Sequence, residues 1–98
     1  MNSLDRHVVL ITGAGGGIGS ATARTVVAQG GHALIHDISE SALDTLAKEL
    51  GESATTLVAD LTDMAAVKQL WDAAWSAKGH LDVLVNNAGA YPLAPVVG

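Results

Sequence analysis

Apolar and polar positions along this 98-residue chain fall into two alternating kinds of segment. Short, mainly apolar runs recur at His7-Val8-Val9-Leu10-Ile11, at His32-Ala33-Leu34-Ile35-His36, at Ala54 to Ala59 and at Leu81-Asp82-Val83-Leu84-Val85. Runs of that length beside glycines and polar turns predict buried strands. Between them the apolar residues take helical spacing. Ile18 to Gln29 predicts a first helix. Ser39 can cap a second, whose apolar positions are Ala42, Leu43, Leu46, Ala47 and Leu50. Thr62 or Asp63 can cap a third, with Val67, Leu70, Trp71 and Ala74 as its buried stripe. Gly30-Gly31, Gly51 and Gly79 follow the three helices and predict their stops.

The order βαβαβαβ predicts an α/β fold. It implies a Rossmann-type doubly wound parallel sheet with right-handed crossovers and strand order 3-2-1-4. No repeat, low-complexity tract or second domain is visible. Residues 1–98 are expected to form one partial domain, truncated after the fourth strand. A fourth strand that apolar expects a neighbour on its far side, because a bare edge is prone to pairing with other chains.

Between the first strand and the first helix stands Thr12-Gly13-Ala14-Gly15-Gly16-Gly17-Ile18-Gly19. A glycine cluster alone is a weak signal, since turns also collect glycine. Placed between a strand and a helix, it predicts a phosphate cradle. The helix end carries roughly +0.5 charge, and its N–H groups point outward. Residues without a Cβ let a pyrophosphate approach the main chain. The spacing is Gly13-x-x-x-Gly17-x-Gly19 and departs from GxGxxG, because Ile18 falls where the third glycine would stand.

Asp37 closes the second strand, 24 residues after Gly13. A carboxylate there can accept hydrogen bonds from both hydroxyls of an adenosine ribose, and it repels a 2′-phosphate. The alternative is a solvated turn aspartate. No Arg or Lys occupies residues 13–19 or 36–39 to hold an extra phosphate. Both observations favour NAD over NADP. Asp60, after the third strand, could accept a hydrogen bond from an adenine amino group; on its own it reads as a loop residue near a helix start.

Composition narrows the picture by exclusion. The formal charge of −5, from five Lys and Arg against ten Asp and Glu, leaves no electrostatic footprint for nucleic acid or an anionic membrane. Trp71, Trp75 and Tyr91 are too few for a base-stacking surface. Trp71 suits the core, whereas Trp75 suits a flank. The absence of cysteine removes disulfides and thiolate chemistry. His7, His32, His36 and His80 lack ligand spacing, so no metal site is expected. Ser20 reads as a helix-packing residue. The apolar runs are too short for a signal-peptide core or a membrane span, and the default is a soluble cytoplasmic protein.

Taken together, these residues resemble the short-chain dehydrogenase/reductase family, over the whole chain but only over the cofactor-binding half of a usual member. Thr12 to Gly19 is similar to its TGxxxGIG motif. Asp60, with the main chain of Leu61, matches its adenine-contacting acid, and Asn86-Asn87-Ala88-Gly89 matches NNAG. Gly16 stands where NADP-using members often carry a basic residue. The resemblance implies a cofactor site of Thr12, Gly13, Gly15, Gly16, Gly17, Ile18, Gly19, Asp37, Ile38, Asp60, Leu61, Asn87, Ala88 and Gly89. It also implies NAD as cofactor, a small-molecule alcohol/carbonyl substrate, and a homo-oligomer for the complete enzyme. The family's catalytic Ser and Tyr-x-x-x-Lys lie beyond NNAG. Tyr91 cannot fill that role, because Tyr91-Pro92-Leu93-Ala94-Pro95 places Pro95 where lysine is required. No catalytic residue is assigned, and the chain alone is expected to be inactive. The competing readings are a non-catalytic dinucleotide-binding or interaction module, and a structural protein without ligand.

Overall fold

A computed structural model of the chain describes residues 3–87. Four parallel strands, β1 (Val8–Thr12), β2 (His32–Asp37), β3 (Ala54–Val58) and β4 (Val83–Asn86), lie in the order β3-β2-β1-β4. Helices α1 (Gly17–Ala28), α2 (Glu40–Leu50) and α3 (Met64–Lys78) alternate with them, and a short 3₁₀ turn, Gly51–Ser53, follows α2. This is the doubly wound arrangement and strand order that the alternation predicts.

The two faces of the sheet follow from strand alternation. Val9 and Ile11 of β1, with Ala33 and Ile35 of β2, face Ala23 and Val26 of α1 and Leu43 and Leu46 of α2. Val8, Leu10 and Leu34 face the other way, onto Ala74 and the half-buried Trp71 of α3. Leu61, Val67 and Leu70 extend that second layer. Every residue of β1 is buried, as a central parallel strand requires. β3 and β4 lie at the outer positions of the described sheet, and Val58 and Val83 are exposed there. Trp75 is exposed on α3, as its place on a flank implies.

Capping accounts for the helix starts. Ser39 Oγ accepts from the Ala42 N–H, and Asp63, not Thr62, caps α3 by accepting from the Ala65 and Ala66 N–H groups. Replacing Asp63 with alanine is expected to cost about 1 kcal/mol of stability, read as a lower urea midpoint with an unchanged slope. The fourth strand starts later than its apolar run suggests. Asp82 N–H donates to the Val8 carbonyl, and the Asp82 carboxylate takes the Val8 N–H at 2.7 Å, so a side chain closes the first rung of the ladder. No helix among the described residues is long and apolar enough to cross a membrane.

Candidate functional site

The C-terminal ends of β1, β2 and β3 bring the predicted residues together. In an open parallel sheet this is the end at which ligands bind, outside the carboxyl ends of the strands. Gly13 turns the chain out of β1 with φ +66°, a conformation glycine adopts without strain. The loop is then fastened to the end of β2 by three successive N–H groups. Gly13 N–H donates to His36 Nδ1 at 3.3 Å, Ala14 N–H to the His36 carbonyl at 2.7 Å, and Gly15 N–H to Asp37 Oδ2 at 3.0 Å.

Those N–H groups serve the loop itself. The ones left for a ligand belong to the first turn of α1. Gly16 is its N-cap, and no side chain caps it. The N–H groups of Gly17, Ile18 and Gly19 have no acceptor inside the helix, since the first turn of any helix lacks one. A Cβ built on Gly17 meets nothing within 4 Å, so the space beside this helix end is open. Gly15 and Gly19 are packed against their surroundings. A Cβ on Gly15 would lie 2.7 Å from both Ala42 Cβ and Asp37 Oδ2.

Beside the loop lies a hollow of about 180 Å³, lined by Gly13, His36, Asp37, Ile38, Asp60 and Leu61 among others. Asp37 Oδ1 also accepts from the Ser39 N–H at 3.2 Å, so loop and helix start hold this carboxylate on both sides. Ile38 is exposed beside it and offers an apolar wall. Asp60 Oδ1 accepts from the Thr62 hydroxyl at 2.7 Å and the Thr62 N–H at 2.9 Å. Those two bonds, the hydroxyl's first, hold the Asp60 carboxyl below its usual range. Asp60 therefore stays an ionised acceptor. Leu61 is buried behind it.

Thr12 and Asn87 form the floor of the loop. Thr12 is fully buried; its hydroxyl donates to Asn86 Oδ1 at 3.0 Å and accepts from the Asn87 N–H at 3.1 Å. The threonine thus ties β1 to the end of β4. Asn87 Nδ2 is buried with no partner among the described residues. Ala88 and Gly89 lie outside the described residues, as does Tyr91.

A model of the short chain dehydrogenase family matches residues 7–97. The chain belongs to this family. It is 38% identical over 94 residues to a sorbitol dehydrogenase of Cereibacter sphaeroides, covering 96% of this chain and 37% of that one. A galactitol 2-dehydrogenase of Agrobacterium fabrum is 37% identical over 95 residues, covering 97% and 37%. Among solved structures, a 3-ketoacyl-(acyl-carrier-protein) reductase from Brucella melitensis complexed with NADH superposes with a TM-score of 0.80 at 35% identity, covering 84% of this chain and 34% of that one. The chain thus spans little more than a third of the length of these relatives.

Sequence reasoning missed His36. It reads as one more strand position, yet it is 3% exposed and hydrogen-bonded through both ring nitrogens, to the glycine loop and to the Ala59 carbonyl. A histidine where a buried strand wants an apolar side chain is the signal that could have found it. A larger hollow of about 460 Å³ opens at the opposite end of the strands, between Arg6, His7, His32, Lys78 and His80. It has neither the glycine loop nor an uncapped helix start, so the smaller hollow is the stronger candidate.

Proposed function

We propose that this chain is the dinucleotide-binding part of an NAD-dependent oxidoreductase acting on an alcohol or carbonyl group of a small molecule. The observation that carries this reading is the pairing of an open, uncapped helix start at Gly17 with two carboxylates, Asp37 and Asp60, around the adjoining hollow. The site's donors and acceptors fit a dinucleotide in order. The N–H groups of Gly17, Ile18 and Gly19 suit a diphosphate, the Asp37 carboxylate suits vicinal ribose hydroxyls, and Asp60 with Ile38 suits an adenine.

A nicotinamide bound here would supply the hydride chemistry, while this chain's residues bind and orient. Thr12, through Asn86 and the Asn87 N–H, ties the end of β1, where the loop begins, to the end of β4. Asp37 favours NAD, because its charge opposes a 2′-phosphate and Gly16 offers no cation to offset it. The NADH named for the Brucella reductase is consistent with this choice. Tyr-x-x-x-Lys does not occur in these 98 residues, so the chain alone is not expected to turn over.

Calorimetric titration tests the reading. Saturable binding of NAD is expected, at least about tenfold tighter than NADP, with no carbonyl reduction above background. A folded preparation that takes up neither dinucleotide overturns the proposal, and measurable turnover overturns the assignment of catalysis to residues beyond this chain.

A further inference from the structure

His36 is held between two groups of fixed polarity. A backbone N–H can only donate and a backbone carbonyl can only accept. Gly13 N–H, at 3.3 Å, therefore requires a bare Nδ1, and the Ala59 carbonyl, at 2.9 Å, requires a hydrogen on Nε2. Only a neutral ring in the Nε2–H form satisfies both.

The register gives this ring its importance. The β2–β3 ladder runs out at Asp37 opposite Val58, and the β1–β2 ladder at Ile11 opposite Ile35. Beyond those rungs the glycine loop leaves β1 on one side and Ala59-Asp60 leaves β3 on the other. Backbone bonds tie each to β2, from the Ala14 N–H to the His36 carbonyl and from the Ala59 N–H to the Asp37 carbonyl, and the imidazole, in the lining of the 180 Å³ hollow, links Gly13 to Ala59 directly. We propose that His36 is a positioning residue for the dinucleotide. In its Nε2–H form it sets the separation between the phosphate-facing loop and the Asp60 turn, and hence the width of the adenosine pocket. This role rests on the reading of the hollow as an adenosine site.

Side-chain geometry lets the two bonds be tested apart. The Asn amide oxygen in His36→Asn can stand in for Nδ1 toward Gly13, and the Gln amide nitrogen in His36→Gln can stand in for Nε2 toward Ala59; His36→Leu supplies neither. Long-range ¹H–¹⁵N correlation of the imidazole is expected to show the Nε2–H form. ADP-ribose and AMP are expected to bind at least about tenfold more weakly to His36→Leu, with His36→Asn and His36→Gln in between. Amide spectra would establish that each variant is folded, and the Gly13 amide shift should move most where the Nδ1 substitute is absent.

A merely structural histidine would lower thermal stability in all three variants and leave the affinity of the folded protein unchanged. If wild type takes ADP-ribose but folded His36→Leu, which keeps neither bond, binds it within twofold of wild type, the positioning role is overturned. An Nδ1–H ring overturns it as well. If wild type takes no ADP-ribose, the adenosine reading itself falls and this role with it, whatever the form of the ring.

Discussion

Gly19→Ala is expected to lower the stability of the protein by about 2 kcal/mol and to shift its urea midpoint accordingly. Two effects compete. Alanine is a better helix residue than glycine by about 1 kcal/mol, and Gly19 lies in the first turn of α1. Against that, its Cβ would overlap the Gly13 carbonyl oxygen and approach Ala14 Cα to 2.7 Å. Both neighbours are backbone atoms, so no rotamer change relieves the overlap; the loop itself would have to move. Overpacking of this kind typically costs 1–3 kcal/mol and here rises to about the upper end, which outweighs the propensity gain. Gly17→Ala is the matched control. Nothing lies within 4 Å of its Cβ, so it should keep or slightly raise stability while weakening dinucleotide binding, because the added methyl group enters the space beside the helix start. Equal urea midpoints for the two variants would show that the loop yields freely and that its glycines are not held by packing.

Asp37→Ala is expected to change cofactor preference by one to two orders of magnitude. A carboxylate at about 4 Å from a phosphate charge, at an effective dielectric of about 20, opposes it by about 4 kcal/mol per charge pair before salt screening. A third of that, about 1.4 kcal/mol, is already tenfold. Removing the carboxylate should weaken NAD by taking away the ribose acceptor and should relieve the repulsion that holds NADP off. The same carboxylate accepts the Gly15 N–H at 3.0 Å, so the alanine variant also loosens the loop. Asp37→Asn separates the two effects, since its amide oxygen can still accept from Gly15 while the charge is gone. The asparagine variant gives up the Ser39 N–H, which Asp37 Oδ1 accepts at 3.2 Å, but keeps the loop bond, so it should narrow the NAD/NADP gap with a smaller loss of stability than the alanine variant. Titrations of both dinucleotides into wild type and the two variants provide the check; an unchanged NAD/NADP ratio would remove Asp37 from the ribose site.

The sequence alone determined what depends on neighbours a few residues apart. Strand runs, helical spacing, the Ser39 cap and the glycine stops after the helices rest on the periods of two and 3.6 residues and on capping chemistry, and all act within one turn or one strand. The alternation of those elements then left a parallel sheet in the order β3-β2-β1-β4 as the consistent topology. Element ends were less legible. β4 starts at Val83, because the side chain of Asp82 takes a rung that the apolar run assigns to the main chain.

Only the tertiary structure decided how the site is held. Gly13, Ala14 and Gly15 direct their N–H groups to His36 and Asp37, 22 or 23 residues away along the chain, which leaves the start of α1 for a ligand. Thr12 engages Asn86 and Asn87 across about the same gap in space but 74 and 75 residues in sequence. Such contacts leave no periodic trace, because they arise where separate strand ends converge. Thr12, the glycine loop, Asp37 and Asp60 were legible in the sequence; His36, and the bonds by which it and Thr12 join the strand ends, became visible only once the strands were laid side by side.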